Sequence, residues 1–256
     1  MMVLGLLAAT VGYLAVFSLN DVLDVKVDEA ALGAGKAEAQ GYDIDIAFLR
    51  HPLARGDLPR SFSIAWVVGL GALGAVLAYL LAPVCLALFA AAVVLEVLYC
   101  SLRSVTWLKT VVSGLMVGVG GLAGWAAVAP ITLAVLPFFL FLALWEIGGR
   151  NLPNDLADLA ADRAVGLTTV ATVFGARVSA IATAGVAAAT LIALALLGRA
   201  LVVTFVSLGL GVWAMGLPAA RLVRTPTSEQ AGLYFNRASL LPALAFAASL
   251  VGILAR

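Results

Sequence analysis

Long apolar runs separated by polar segments form the dominant pattern along this chain. Each run is close to the roughly 20 residues that an α-helix needs to cross a bilayer. The runs are rich in Leu and Ala and lack the strict alternation of a membrane β-barrel, so they predict helices. The pattern predicts an all-α, polytopic membrane bundle of about eight transmembrane helices, and we treat residues 1–256 as one domain. The predicted spans are Met1–Leu19, Phe62–Leu81, Pro83–Cys100, Val111–Ala129, Ile131–Gly148, Val178–Leu197, Ala200–Leu217 and Ser239–Ala255.

The composition supports a membrane protein and excludes several other classes of protein. Of the 256 residues, 64% are hydrophobic and 11% are charged, and the mean hydropathy is +1.12. Soluble domains carry roughly 25% charged residues, so these values exclude a soluble globular enzyme and a disordered chain. The net charge of +1 offers no attraction to nucleic acid. Two cysteines are too few for a disulfide scaffold.

Basic residues lie almost entirely on one side of the predicted bundle. Thirteen of the 15 Lys and Arg residues follow spans one, three, five and seven, and only Arg199 and Arg256 fall on the opposite side. By the positive-inside rule, the four polar loops are cytoplasmic. Apart from Glu96 and Glu146, every Asp and Glu also lies in a cytoplasmic loop or helix extension. We therefore expect a multi-pass protein of the cell membrane, with both termini outside and its active site on the cytoplasmic face.

One carboxylate motif occurs twice, each time just after a predicted span. The pattern N-D-x-x-D-x-x-x-D covers Asn20–Asp28 and, 134 positions later, Asn154–Asp162. At about 100° per residue, the four polar side chains of each copy share one face of an ideal helix. Like charges four residues apart destabilise a helix, so the clusters need a compensating cation. Oxygen ligands without His or Cys favour Mg2+, which proteins hold with a few carboxylates and substrate phosphates. Two facing clusters would hold two such ions, which would bridge a diphosphate and stabilise the charge on its departing oxygens.

At these residues the chain resembles the UbiA superfamily of intramembrane prenyltransferases. The family motifs N-x-x-x-D-x-x-x-D and D-x-x-x-D-x-x-x-G match Asn20/Asp24/Asp28 and Asp158/Asp162/Gly166. Three further stretches resemble family segments and follow the same order along the chain. They are His51–Gly56, Tyr99–Lys109 and Phe235–Ser239. The resemblance covers essentially the whole chain and implies a helical bundle around a central cavity that opens to lipid.

The resemblance also implies a reaction and a set of site residues. Mg2+ on the two motifs binds a prenyl diphosphate, the C–O bond ionises, and a lipophilic, often aromatic, acceptor attacks the allylic cation. The implied catalytic metal ligands are Asp24, Asp28, Asp158 and Asp162, with Asn20 and Asn154 completing the metal shell. Polar and basic residues near the motifs are the expected contacts to the substrate; they are Arg103, Lys109, Tyr99, Arg55, Asp21 and Asp155.

Four features depart from the family pattern. Members typically have one more span, placed before the span that leads into the first motif, and no apolar run here stands in that place. Glu29–Leu49 is a long insertion, His51 replaces an Arg, and Leu167-Thr168-Thr169 replaces a G-x-K-T-like ending. The last three departures leave the acceptor and the subfamily open. Three alternatives also stay open: a terpene cyclase acting on a prenyl diphosphate, a phosphoribosyl-to-lipid transferase, and a transporter with an internal repeat.

Overall fold

The computed structural model describes residues 2–33, 52–198 and 200–254 of the chain. Within these ranges, all of the regular elements are helical. In this described part of the chain, eight helices, some of them built from consecutive segments, are long and apolar enough to cross a membrane. The predicted all-α membrane bundle and its number of spans are therefore confirmed, and the protein is a multi-pass integral membrane protein.

The first half of the bundle is built from long single helices. They are α1 (Met2–Gly33), α2 (Arg60–Leu81), α3 (Pro83–Leu102) and α4 (Lys109–Ala126). The second half is more segmented, and it also contains one 3-10 turn and two π-helical segments. In order, it comprises the 3-10 turn Leu133–Val135, α5 (Leu136–Trp145), the π segment Glu146–Asn151, α6 (Leu152–Ala157), α7 (Leu159–Ala164), α8 (Val170–Phe174), α9 (Ala176–Leu197), α10 (Leu201–Gly211), the π segment Val212–Gly216, α11 (Leu217–Arg224), α12 (Ser228–Ser239) and α13 (Leu241–Leu254).

Several helices extend further into the polar regions than the apolar runs predict. α1 continues from the first span through the first motif to Gly33. The seventh span continues to Arg224, and the last span begins at Ser228 rather than at Ser239. Hydropathy identifies the part of a helix that matches the lipid, whereas backbone hydrogen bonding continues through polar turns at either end. The predicted boundaries are therefore wrong at these ends, although the spans themselves are correct.

The Ala82-Pro83 junction separates two helices that pack against each other. Ala82 is extended, with φ −169° and ψ 149°, as the residue before a proline prefers. Pro83 lies in the first turn of α3, where a helix does not need its N–H group. α2 and α3 contact each other, and both contact α1. This arrangement places the end of α3 beside the polar end of α1.

Two spans change from α to π geometry just before a proline. Glu146–Asn151 and Val212–Gly216 are each followed, two residues later, by Pro153 and Pro218. A proline lacks the N–H that would bond the carbonyl four residues earlier, and its ring crowds that carbonyl. A wider turn before the proline accommodates this defect, and such π segments are frequent at functional sites. The first π segment leads directly into the second aspartate motif.

The most deeply buried side chains lie in the second half of the bundle, among α6, α9, α11, α12, the second π segment and the start of α13. The largest of them are Tyr234, Leu156, Met215, Leu222 and Leu241. The outer surface instead carries large apolar side chains; Phe205 and Phe246 are both 70% exposed. An apolar surface of this kind is expected where a helix faces lipid.

Candidate active site

The first motif lies on the polar end of α1, where Asn20 and Asp24 face α3. The Asn20 Nδ2 atom donates to Glu96 Oε1 at 2.7 Å and also lies 3.4 Å from Cys100 Sγ. One turn later, Asp24 forms an ion pair with Arg103, the residue that follows α3. Residues four apart on a helix share a face, and both side chains accordingly reach the same neighbouring helix end.

Asp21 points in a different direction from Asn20 and Asp24. It lines a cavity of about 330 Å³ between α1 and the start of α2. Consecutive residues on a helix are about 100° apart, so the side chain that follows Asn20 leaves the side facing α3. Asp21 therefore has different neighbours from Asn20 and Asp24, although α1 runs as one continuous helix through the motif, as the spacing predicts. The cavity walls beside Asp21 are formed by Ser18, Leu53, Phe62 and Trp66.

The second motif is divided by a break in the helix at Asp158. α6 ends at Ala157 and α7 begins at Leu159, while Asp158 itself has φ −91° and ψ 9°. The Asn154 Nδ2 atom donates to Asp158 Oδ2 at 3.5 Å. The prediction of one continuous helical face over Asn154–Asp162 is wrong, because the chain turns within the motif.

The last aspartate of each motif lies one turn further along its helix. Asp162 is only 3% exposed on α7, and its N–H donates to the Asp158 carbonyl at 2.9 Å. Asp28 is partly buried on α1. After Asp162 the chain leaves the helix at Gly166, which has a φ of +72°. A left-handed turn of this kind favours glycine, which explains the glycine that ends the motif.

Asp155 belongs to a buried ion pair between α4 and α6. The Lys109 Nζ atom lies 3.1 Å from Asp155 Oδ1, and the two side chains are 4% and 7% exposed. The same ammonium group lies 5.2 Å from the centre of the Tyr99 ring on α3. Three predicted substrate contacts therefore come together as one cluster. In this structure the charge of Lys109 is directed at Asp155.

Arg103 connects the two motifs. Its side chain pairs with Asp24, and its backbone carbonyl accepts a hydrogen bond of 2.8 Å from the N–H of Thr168, which follows the second motif. α1 also contacts α7 directly. Burial lowers the pKa of the Arg103 guanidinium, which still carries its positive charge at neutral pH. The two motifs thus lie at one end of the bundle, where Arg103 contacts the first motif through its guanidinium and the segment after the second through its backbone.

Arg55 lies in the turn before α2 and has a different kind of partner. Its Nε atom is 3.1 Å from Asp57 Oδ2, and the two side chains are 39% and 52% exposed. Among the described residues, its ion-pair partner is therefore Asp57 rather than a motif residue. This position gives no support to the predicted contact between Arg55 and the substrate. His51, which stands where the family pattern has an Arg, lies outside the described residues.

A comparison with protein-family models decides which family this arrangement represents. The model of the UbiA prenyltransferase family matches residues 1–241. The chain belongs to the UbiA prenyltransferase family. The resemblance inferred from the aspartate motifs is therefore confirmed. A comparison with curated protein sequences gave no significant match.

Solved structures of UbiA proteins share this fold. An apo UbiA homologue from Aeropyrum pernix K1 aligns with a TM-score of 0.75 and 18% identity, over 98% of this chain and 89% of that chain. A structure from work on digeranylgeranylglyceryl phosphate synthase aligns with a TM-score of 0.68 and 19% identity, over 98% and 86%. A UbiA homologue from Archaeoglobus fulgidus, bound to DMAPP and Mg2+, aligns with a TM-score of 0.66 and 17% identity, over 96% and 86%.

The side chains of the two UbiA motifs are chemically suited to Mg2+. Their Asp and Asn oxygens are the hard ligands that this ion prefers. Within the described ranges, no three Asp, Glu, His or Cys side chains converge as ligands of one metal ion. Proteins usually hold Mg2+ with one or two carboxylates, while water and substrate phosphates complete the shell. The residues present therefore fit a site that the substrate completes.

Sequence reasoning missed a polar network on the span side of the UbiA motifs. On α3, Glu96 is only 3% exposed and holds Asn20. Across the bundle, Glu146 Oε1 accepts a hydrogen bond of 2.9 Å from Ser113 Oγ, and Asn151 Nδ2 donates to the same Ser113 oxygen at 3.1 Å. The available signal was the presence of two acids outside the polar loops. A carboxyl group within a span is costly and marks a functional or specifically paired residue.

Proposed function

We propose that this chain is a Mg2+-dependent prenyltransferase that moves an isoprenyl group from a prenyl diphosphate to a lipophilic acceptor in the membrane. The observation that carries the proposal is the meeting of two aspartate motifs at one end of a membrane-spanning bundle, where Arg103 contacts the first motif and the segment that follows the second. A prenyl diphosphate combines a charged head with an apolar tail, and this arrangement offers a polar end above apolar helices. The Archaeoglobus fulgidus homologue bound to DMAPP and Mg2+ has the same fold, which supports this class of substrate.

In this proposal the motif side chains hold the metal. Mg2+ supplies Lewis-acid stabilisation of the negative charge that develops on the departing diphosphate. The electron pair of the broken C–O bond stays with the diphosphate, and the acceptor, often aromatic, forms the new bond and loses a proton. The proposed metal ligands are Asn20, Asp24, Asp28, Asn154, Asp158 and Asp162.

Arg103 and Lys109 add fixed positive charge to a site that is otherwise built from carboxylates. A guanidinium group has five N–H donors, so Arg103 can bond Asp24 and a phosphate oxygen at the same time. The Lys109 ammonium has three N–H donors, and Asp155 accepts one of them. We assign both side chains to binding and orienting the leaving group. Asp155 and Tyr99 hold Lys109 in place for this role.

We place this site on the cytoplasmic face of the cell membrane. Thirteen of the 15 basic residues lie on the motif side of the predicted spans, which is the cytoplasmic side by the positive-inside rule. A charged diphosphate reaches the site from the cytosol, while the prenyl chain and the lipophilic acceptor reach it from the lipid.

Product analysis tests the proposal and separates it from its nearest alternative. Purified protein in lipid nanodiscs is given geranyl, farnesyl or geranylgeranyl diphosphate, with and without Mg2+, and with and without phenolic acceptors. We expect Mg2+-dependent release of diphosphate together with a prenylated acceptor. A cyclic hydrocarbon formed without any acceptor would instead identify a terpene cyclase. The absence of both diphosphate release and Mg2+-dependent binding of any donor would contradict the proposal.

Substitution of one aspartate in each motif tests which residues carry the reaction. Asp24→Ala and Asp158→Ala should each abolish turnover while leaving membrane insertion intact, because each removes a proposed metal ligand. Asp57→Ala is the matched control, since Asp57 is an exposed acid in the turn before α2. It should keep the activity of the unmodified protein. Normal turnover in both motif variants would contradict the assignment of the metal site.

A further inference from the structure

Glu96 is an acid buried in an apolar span. It lies within the apolar sequence of α3, and it is only 3% exposed. A carboxyl group in this position is costly, so it is retained only where it has specific partners. The residues around it therefore indicate what it does.

The partners of Glu96 are one residue of the first motif and one cysteine. Its Oε1 atom accepts a hydrogen bond from Asn20 Nδ2 at 2.7 Å and another from Cys100 Sγ at 3.3 Å. The Cys100 sulfur also lies 3.4 Å from Asn20 Nδ2. Three side chains from α1 and α3 thus form one closed cluster. Within it, the amide nitrogen of Asn20 is fixed against α3.

This contact determines which atom of Asn20 remains available. The amide group carries one nitrogen and one oxygen on the same carbon, and they point in different directions. Turning the amide over would place its oxygen against Glu96 Oε1, where two acceptor atoms would repel each other. The contact therefore leaves the oxygen directed away from the carboxyl group. Oxygen is also the only amide atom that Mg2+ accepts as a ligand.

We infer that Glu96 is a positioning residue, which holds the Asn20 amide so that its oxygen is presented to the metal of the first motif. The inference rests on the proposed function. Loss of a group that hydrogen-bonds to a metal ligand and orients it commonly weakens metal binding by about 10–100-fold. Glu96 acts in this way through Asn20 and needs no contact with substrate.

Metal binding to the resting protein tests this role without relying on turnover. Mn2+ serves as a paramagnetic substitute for Mg2+, with inorganic diphosphate present, and electron paramagnetic resonance measures the free ion. Glu96→Ala should weaken Mn2+ binding by about tenfold. Glu96→Gln should retain most of the affinity, because its amide oxygen still accepts a hydrogen bond from Asn20. Cys85→Ala, another buried position on α3, is the matched control and should bind Mn2+ normally.

A double-mutant cycle shows whether Glu96 acts through Asn20. In the Asn20→Ala background, Glu96→Ala should cause no further loss of Mn2+ affinity. If Glu96→Ala does not fold, Glu96→Met keeps the volume, removes the acceptor and provides the same comparison. Two results would overturn the inference and leave the proposed function intact. One is an equal loss of Mn2+ affinity with and without Asn20; the other is unchanged affinity in Glu96→Ala and Glu96→Met. If the unmodified protein binds neither Mn2+ nor a prenyl diphosphate, the proposed function fails and this inference fails with it.

Discussion

Single residues at the motif end differ in how their charges are neutralised. Asp24 pairs with Arg103, which is 18% exposed, and Asp155 pairs with Lys109, which is 4% exposed. Removing one member of a buried pair is strongly destabilising, because it leaves the other charge buried without its counter-ion. Arg55 and Asp57 form the opposite case, since both are well exposed. Their interaction is weakened by solvent.

Removal of Lys109 should destabilise the protein by leaving Asp155 buried without its cation. We expect Lys109→Met to lower the free energy of unfolding by about 3–5 kcal/mol. The double variant Lys109→Met/Asp155→Leu should recover most of this loss without recovering turnover. Unfolding in detergent, followed by circular dichroism, measures the difference. Arg55→Met is the control and should cost no more than about 1 kcal/mol; an equal loss in the single and double Lys109 variants would contradict the expectation.

The sequence identified which residue types meet at the site but not how they are paired. Asn20 and Asp24 follow from motif spacing, Arg103 and Lys109 from their side of the membrane, and Tyr99 from the resemblance to the family. The contact between Asn20 and Glu96 joins positions 76 residues apart, and it depends on how α1 packs against α3. Local spacing contains no information about such packing. The pairing of the basic residues with motif acids was missed for the same reason.

Among the elements, α4 and α5 approach closely through glycine. A Cβ atom at Gly114 would lie 2.5 Å from Ile147 Cγ1 and 2.8 Å from the Ala143 carbonyl oxygen. The backbone oxygen cannot move aside as a flexible side chain can. At Gly120, on another face of α4, a Cβ atom would meet nothing within 4 Å. α4 begins at Lys109, so its position against α5 also sets the position of the buried ion pair.

A single methyl group at Gly114 should therefore separate α4 from α5. We expect Gly114→Ala to lower the free energy of unfolding by about 1–3 kcal/mol, as overpacking does, and to reduce turnover. Gly120→Ala is the matched control and should be neutral or slightly stabilising, because alanine favours a helix over glycine by up to about 1 kcal/mol. Both variants are compared by thermal unfolding and turnover. Equal behaviour of the two would contradict the described packing.

Apolar runs predicted the eight spans and the junction at Ala82-Pro83. The length of an apolar run and the effect of a proline on a helix both depend on residues that are neighbours in the sequence. They did not predict the π segment at Glu146–Asn151 or the break at Asp158. Hydropathy and a period of 3.6 residues cannot detect a change of helix geometry within an apolar or acidic stretch. The second motif consequently has a different shape from the ideal helix that its spacing predicts.

At the scale of the whole molecule, the bundle brings together two motifs that lie 134 positions apart. Ligands that bind only the folded state raise its stability. We therefore expect Mg2+ together with a non-cleavable prenyl thiolodiphosphate to raise the melting temperature in detergent, and chelation by EDTA to reverse the increase. Because the ion and the diphosphate complete each other's binding site, either one alone should have a much smaller effect. An equal increase with the prenyl compound alone would contradict a metal-dependent site.

The most direct test of the central claim asks whether the two motifs form one site. Mg2+-dependent binding of farnesyl thiolodiphosphate is measured at equilibrium in nanodiscs for Asp24→Asn, for Asp158→Asn and for the double variant. We expect each single variant to lose at least about tenfold in affinity. The double variant should lose little more than the single variant that binds the compound less tightly, because a shared site is already broken. Independent losses that add in the double variant, or unchanged affinity in either single variant, would contradict a shared site.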